Sequence, residues 1–138
     1  MINFFFENTA PITLPARLSE WIEVLISQEG KKLGEISYIF CDDTYLLKVN
    51  QDYLNHNYYT DIITFDYVKG NTVSGDIFIS LERVSDNAAG LSTPFEHELI
   101  RVLAHGILHL CGYKDKSDED QKTMRSKEDF YIKTYYNK

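Results

Sequence analysis

Cysteine is scarce in this chain. Cys41 and Cys111 are its only two and lie far apart, which excludes a disulfide framework and fits free thiols in a reducing, cytoplasmic setting. Long hydrophobic runs are missing too. No stretch approaches transmembrane length, so no membrane association is expected. Ile2-Asn-Phe-Phe-Phe6 is too short for the apolar core of a signal peptide and has no basic start. Positive charge is in short supply, with 14 Lys and Arg against 21 Asp and Glu, a net charge of −7 and a pI near 5.0. That balance excludes a broad electrostatic grip on nucleic acid. Contact with RNA would have to be local, metal-assisted or helped by a larger partner. Repeats, low-complexity tracts and linkers are absent as well.

What is present is enough for one core. A chain of 138 residues that is 43% apolar, with ten tyrosines and eight phenylalanines, reads as a single globular domain spanning residues 1–138. Residues 2–6 read as a short strand. Leu14, Leu18, Trp21 and Leu25 recur at helical spacing and the pattern stops near Gly30. Ile36, Tyr38 and Phe40 alternate as a second strand. Asp42 or Asp43 can cap a helix carrying Leu46, Val49 and Tyr53, and residues 55–59 read as a loop. Strand-rich runs at 62–68 and 75–79 flank Lys69-Gly-Asn71 as a hairpin. A short helix is expected over 81–89. A long one follows Pro94 with Leu99, Val102, Leu103, Ile107 and Leu110, and a last one is capped by Ser117. The order β-α-β-α-β-β-α-α-α predicts an α+β fold. Its sheet should be small and mixed, of about four strands, parallel across the two crossovers and antiparallel in the hairpin.

The chemistry concentrates in His105-Gly-Ile-Leu-His109-Leu-Cys-Gly-Tyr-Lys-Asp115. Residues four apart stack on one helix face, so both imidazoles can reach one ion. Gly112 is the residue expected just past a helix end, and the turn it permits can bring Asp115 back toward the histidines. Three protein ligands with a fourth position open are the pattern of a catalytic zinc site rather than a closed structural one. The plainer alternatives are partly buried helical histidines and a solvated turn aspartate. Zinc peptidases of the HExxH type carry a glutamate after the first histidine. Gly106 stands there instead, which argues against proteolysis and would leave room near the metal for a bulky substrate.

His-Gly-Ile-Leu-His-Leu-Cys-Gly-Tyr resembles the HGxLHLxGYDH signature of the YbeY family of bacterial rRNA-maturation endoribonucleases. Thr60-Asp-Ile-Ile-Thr-Phe65 is similar to that family's T-[DN]-V-L-S-F segment, Ser74-Gly-Asp-Ile-Phe-Ile79 to its L-G-D-I-x-I strand, and Val49-Asn50 to its L-N pair. The resemblance implies a zinc-dependent, single-strand-directed endoribonuclease. Such an enzyme would act on the 3′ end of small-subunit rRNA and in ribosome quality control, with rRNA precursor and ribosomal particles as partners and a ribosome-associated protein as a further one. It implies one Zn²⁺ held by His105, His109 and, where the family has its third histidine, Asp115. Carboxylate oxygen is an accepted zinc ligand. The family's phosphate-binding arginine falls at Leu54, which cannot stabilise negative charge.

The remaining candidates are secondary. His56 is the nearest possible substitute for the missing arginine, or an ordinary exposed loop histidine. Asp61 could orient a ligand or a water, or simply enter a strand, and Asp76 could cap backbone or act in catalysis. His97 lies eight residues before His105, about 12 Å along a helix, too far to share an ion. Cys111 reads as a core residue, and Lys122, Arg125 and Lys127 as a solvated face. Two other functional classes stay open at this point: a ribosome-assembly factor with a mainly structural metal, and a metallohydrolase of another substrate.

Overall fold

The computed structural model describes residues 1–56 and 58–137; Asn57, within the expected loop at 55–59, lies outside them. Nine elements follow the expected order: β1 (Ile2–Phe6), α1 (Leu18–Gln28), β2 (Lys32–Cys41), α2 (Asp43–Leu54), β3 (Ile62–Asp66), β4 (Thr72–Ser80), α3 (Leu81–Gly90), α4 (Phe95–Leu110) and α5 (Asp118–Tyr136). They form one α+β domain, as the sequence pattern predicts. No helix among the described residues is long and apolar enough to cross a membrane.

The sheet order is β1-β2-β4-β3. β1 pairs with β2 in parallel, Phe4 opposite Tyr38, and β2 pairs with β4 in parallel, Tyr38 opposite Ile77. β3 and β4 are antiparallel, with Ile62 opposite Ile79. Two parallel pairs and one antiparallel pair are therefore present. The second parallel partner of β2 is β4 rather than β3, because the hairpin enters with its second strand inward and leaves β3 at the edge. The hairpin strands also have different ends from those expected. β3 stops at Asp66, whose side chain accepts the Val68 amide at 2.8 Å, and β4 begins earlier, at Thr72.

Alternation along the strands divides the apolar residues between two faces. Ile36, Tyr38, Phe40, Val73, Ile77 and Ile79 are buried in the main core with residues of α1, α3, α4 and α5. A smaller cluster of Cys41, Leu46, Val49 and Ile63 packs beneath α2, joined by Phe65 and Phe78. α1 starts at Leu18, later than Leu14 would allow, since Leu14 precedes Pro15 and a residue before proline is pushed away from helical geometry. Asp42 caps α2 by accepting from the Tyr45 amide at 2.8 Å, and Ser117 caps α5 by accepting from Asp120 at 3.0 Å.

Gly106 does not open space at the site. A Cβ there would lie 3.0 Å from Ile77 and 3.1 Å from Ile62, so this glycine faces the sheet and lets α4 pack close against β3 and β4. Gly75 serves the same packing from the other side, under Leu110.

Candidate metal centre

α4 carries its polar side chains in one stripe. Glu98, Arg101, His105 and His109 recur every three or four residues along a helix whose other positions are mostly buried. The stripe faces a cleft of about 1460 Å³, walled by α5 on one side and by the segment from α2 into β3 on the other.

α4 ends in a pair of reversed hydrogen bonds, Gly112 N–H to His109 C=O at 3.0 Å and Tyr113 N–H to Leu108 C=O at 3.0 Å. Gly112 sits at φ 110°, a conformation other residues rarely adopt. This is the Schellman stop, and it reverses the chain. Asp115 Oδ2 returns to 3.2 Å from His105 Nε2 and 3.2 Å from His109 Nε2. One ligand atom from each of the three residues lies within 4.8 Å of the others, so the trio could hold a single ion.

Each histidine is oriented from behind. His105 Nδ1 lies 2.6 Å from Glu128 Oε2, and His109 Nδ1 lies 2.9 Å from the Tyr113 carbonyl. With Nδ1–H donating in both rings, both Nε2 atoms are left as lone-pair donors toward the same point. Glu128 is buried, and its other oxygen accepts from Arg101 Nη1 at 2.9 Å; Arg101 Nη2 reaches Asp129 at 2.8 Å. Burial pushes the Glu128 carboxyl up, but the bonds and charges of His105 and Arg101 outweigh it and leave it below the usual range. Burial pushes His105 down, and Glu128, Asp115 and Asp61 together leave it above the ordinary histidine value.

The loop that carries Asp115 is anchored by a second network. Tyr113 Oη donates to Glu29 Oε1 at 2.7 Å; Tyr131 Oη and Lys127 Nζ converge on Glu29 Oε2. Lys127, expected on a solvated face, is tied into this network and lies 5.5 Å from the Tyr113 ring.

The other sequence candidates fall in different places. Asp61 lines the cleft near His105 but is outside the three-residue cluster; burial raises its carboxyl, an effect the His105 charge opposes. His56 also lines the cleft, away from the trio, with its ring stacked on Tyr58 at 5.2 Å and Nδ1 3.1 Å from the Tyr58 hydroxyl. Asn50 is buried and holds this loop, donating to the Tyr58 carbonyl at 2.9 Å while its own carbonyl accepts the His56 amide. Asp76 sits within β4 and His97 stacks on Tyr136; neither reaches the cleft. Cys111 is half-buried, its thiol pushed up to about 11 by burial and the charge of Glu29.

Glu128, Arg101, Glu98 and Glu29 were not singled out from the sequence. Glu128 left a readable signal: it interrupts the otherwise apolar buried stripe of Met124, Tyr131, Ile132 and Tyr135 on α5.

The chain is also similar to known proteins over nearly its whole length. The family profile described as Endoribonuclease YbeY matches residues 6–136. The chain belongs to the YbeY family. A protein of that name from Flavobacterium johnsoniae is 56% identical over 136 residues, covering 99% of this chain and 98% of the relative. One from Porphyromonas gingivalis is 52% identical over 129 residues, covering 93% and 85%. The solution structure of a Thermotoga maritima protein superimposes with a TM-score of 0.72 at 29% identity, covering 96% of this chain and 87% of that one. A YbeY-family chain is thus expected to carry a metal-dependent nuclease site, and the α4–α5 cleft is where this one gathers three side chains that could hold a metal ion.

Proposed function

We propose that residues 1–138 form one metal-dependent endoribonuclease domain that acts in ribosomal RNA maturation. Its single-stranded precursor would lie in the α4–α5 cleft, and a Zn²⁺ ion would be held by His105, His109 and Asp115. The observation that carries this reading is the convergence of those three side chains within 4.8 Å in a chain of this family. The donor set suits zinc, with two imidazoles and one carboxylate, and both imidazoles are oriented through Nδ1. When bound, such an ion supplies Lewis-acid polarisation of a phosphoryl oxygen and neutralises charge developing on it.

The chain's own groups supply the rest. Glu128 and the Tyr113 carbonyl hold the two rings in the tautomer that presents Nε2. Asp61, which lines the cleft with its carboxyl raised by burial, would be the group to take a proton from an attacking water or ribose 2′-OH. His56 stands at the cleft wall, where it can contact RNA but not the ion. The finer assignments, to the 3′ end of small-subunit rRNA, to ribosomal particles with an associated protein and to the cytoplasm, follow from the family and belong to the same proposal.

The test is cleavage of a single-stranded rRNA-precursor fragment by zinc-loaded protein beside His109→Ala prepared identically. Cleavage by the first alone places the chemistry at this centre. Equal cleavage by both, or none by either in the presence of ribosomal particles, would sink the proposal.

A further inference from the structure

Three of the four arginines are committed. Arg17 lies 5.9 Å over the Tyr135 ring, Arg83 pairs with Asp43 at 2.7 Å, and Arg101 is shared by Glu128 and Asp129. Arg125 is different. It lines the cleft, yet among the described residues it makes no hydrogen bond, ion pair or ring contact. Its charge partly draws back down the burial-raised carboxyl of Glu98.

An exposed arginine is commonly free, so its place decides the matter. Arg125 lies three residues before Glu128 on α5, about 4.5 Å along the helix axis, and Glu128 touches His105. One turn earlier on the same face is Lys122, and Lys116 follows Asp115 in the loop; both line the cleft. The acids of this wall nearest His105 are occupied: Glu128 and Asp129 by Arg101, and Asp115 by the two histidines. Asp61 and Glu98 lie deeper, where burial raises both carboxyls. Asp118, at the start of α5, and Asp66 are cleft-lining acids without an ion pair among the described residues. The opposite wall is uncharged at Leu54 and aromatic at Tyr58. Among the described residues, a polyanion entering this cleft therefore finds its free positive charge on α5 and the loop just before it, although the chain as a whole carries −7.

We infer that Arg125, with Lys122 and Lys116 beside it, is the phosphate-binding group of the cleft and holds the non-bridging oxygens of the phosphodiester next to the metal centre. The fixed donor fork of guanidinium matches two such oxygens, which a lysine cannot reproduce. The inference takes from the nuclease reading only the class of the ligand, a single-stranded nucleic acid backbone.

The experiment uses zinc-loaded wild type, Arg125→Ala, Arg125→Lys and Lys133→Ala. The last makes the same charge change on the same helix, at a position outside the cleft. KM and kcat are measured on a fluorescent ten-nucleotide single-stranded RNA. Binding of a single-stranded DNA of the same sequence is followed from 50 to 200 mM salt. Arg125→Ala should bind the DNA about tenfold more weakly, as expected for losing hydrogen bonds to a charged group. Its slope of log affinity against log salt should be shallower by about 0.7, one single-strand phosphate contact. Arg125→Lys should restore the slope but only part of kcat, and Lys133→Ala should match wild type.

If Arg125→Ala keeps the wild-type KM, kcat and salt slope while wild type cleaves RNA, this inference is overturned and the nuclease reading stands. If wild type binds DNA with the Arg125-dependent slope yet cleaves no RNA, the phosphate site is supported and the nuclease reading falls. If wild type neither binds nor cleaves, both fall.

Discussion

At the scale of single residues the centre depends most on a group that would never touch the ion. Glu128 is buried at 4% exposure and accepts from His105 and Arg101 at once. Loss of such an outer partner typically weakens metal binding by about 10–100-fold. Glu128→Gln keeps an acceptor for Nδ1–H but loses the charge, so zinc affinity by chelator competition should fall about tenfold with the fold intact. Glu128→Ala also leaves the largely buried Arg101 guanidinium with Asp129 as its remaining partner, so it should cost less than the about 3–5 kcal/mol of fully breaking a buried pair. It should both melt earlier and bind zinc more weakly than the glutamine variant. Equal zinc affinity in all three proteins would show that Glu128 does not orient His105. The three candidate ligands were legible in the chain because helical spacing and a glycine stop are local facts. Glu128 was not, since its partners are 23 and 27 residues away and meet only when α5 packs on α4.

At the scale of elements, the placement of the centre rests on how closely α4 approaches the sheet. Gly75 is enclosed on two sides: a Cβ there would meet the Phe65 carbonyl of β3 at 2.5 Å and Leu110 of α4 at 3.0 Å. The carbonyl belongs to the β3–β4 ladder and cannot swing away as a side chain could. Gly75→Ala should therefore destabilise by about 1–3 kcal/mol, the usual range for overpacking. Gly90, at the end of α3 with nothing within 4 Å, is the control. Gly90→Ala should be neutral or stabilise by up to about 1 kcal/mol. Urea midpoints of both variants check this, and a Gly75→Ala midpoint at or above wild type would refute the close-approach argument. Element order and the helix caps at Asp42 and Ser117 could be read from the sequence because each is set within a few residues. The inward position of β4 and the true role of Gly106 could not. Strand order is decided by which faces α4 and α2 cover, and no local pattern carries that information.

At the scale of the whole molecule, both faces of the sheet bury groups that must keep their protons. Cys41 is fully buried beneath α2, and burial together with the charges of Asp42 and Asp43 pushes its thiol from 9.0 up to about 12. Tyr38 is fully buried on the opposite face, donates to the Leu103 carbonyl at 3.0 Å, and is held well above 10.0 by burial and then by the charge of Cys111. Between pH about 9 and 12 the unfolded chain releases protons that the folded chain retains. Stability tied to these groups is thus fully present below about pH 9 and declines as pH rises toward 12. The melting temperature should stay level from pH 7 to 8.5 and fall steadily by pH 11. Cys41→Ala, whatever its own melting temperature, should show a shallower fall than wild type. The thiol should also resist alkylation at pH 8 until the protein is unfolded, since the thiolate is the reactive form. A flat melting profile between pH 9 and 11, or rapid native-state alkylation of Cys41, would mean that the α2 face is open to solvent and that the smaller core does not seal the sheet behind the cleft.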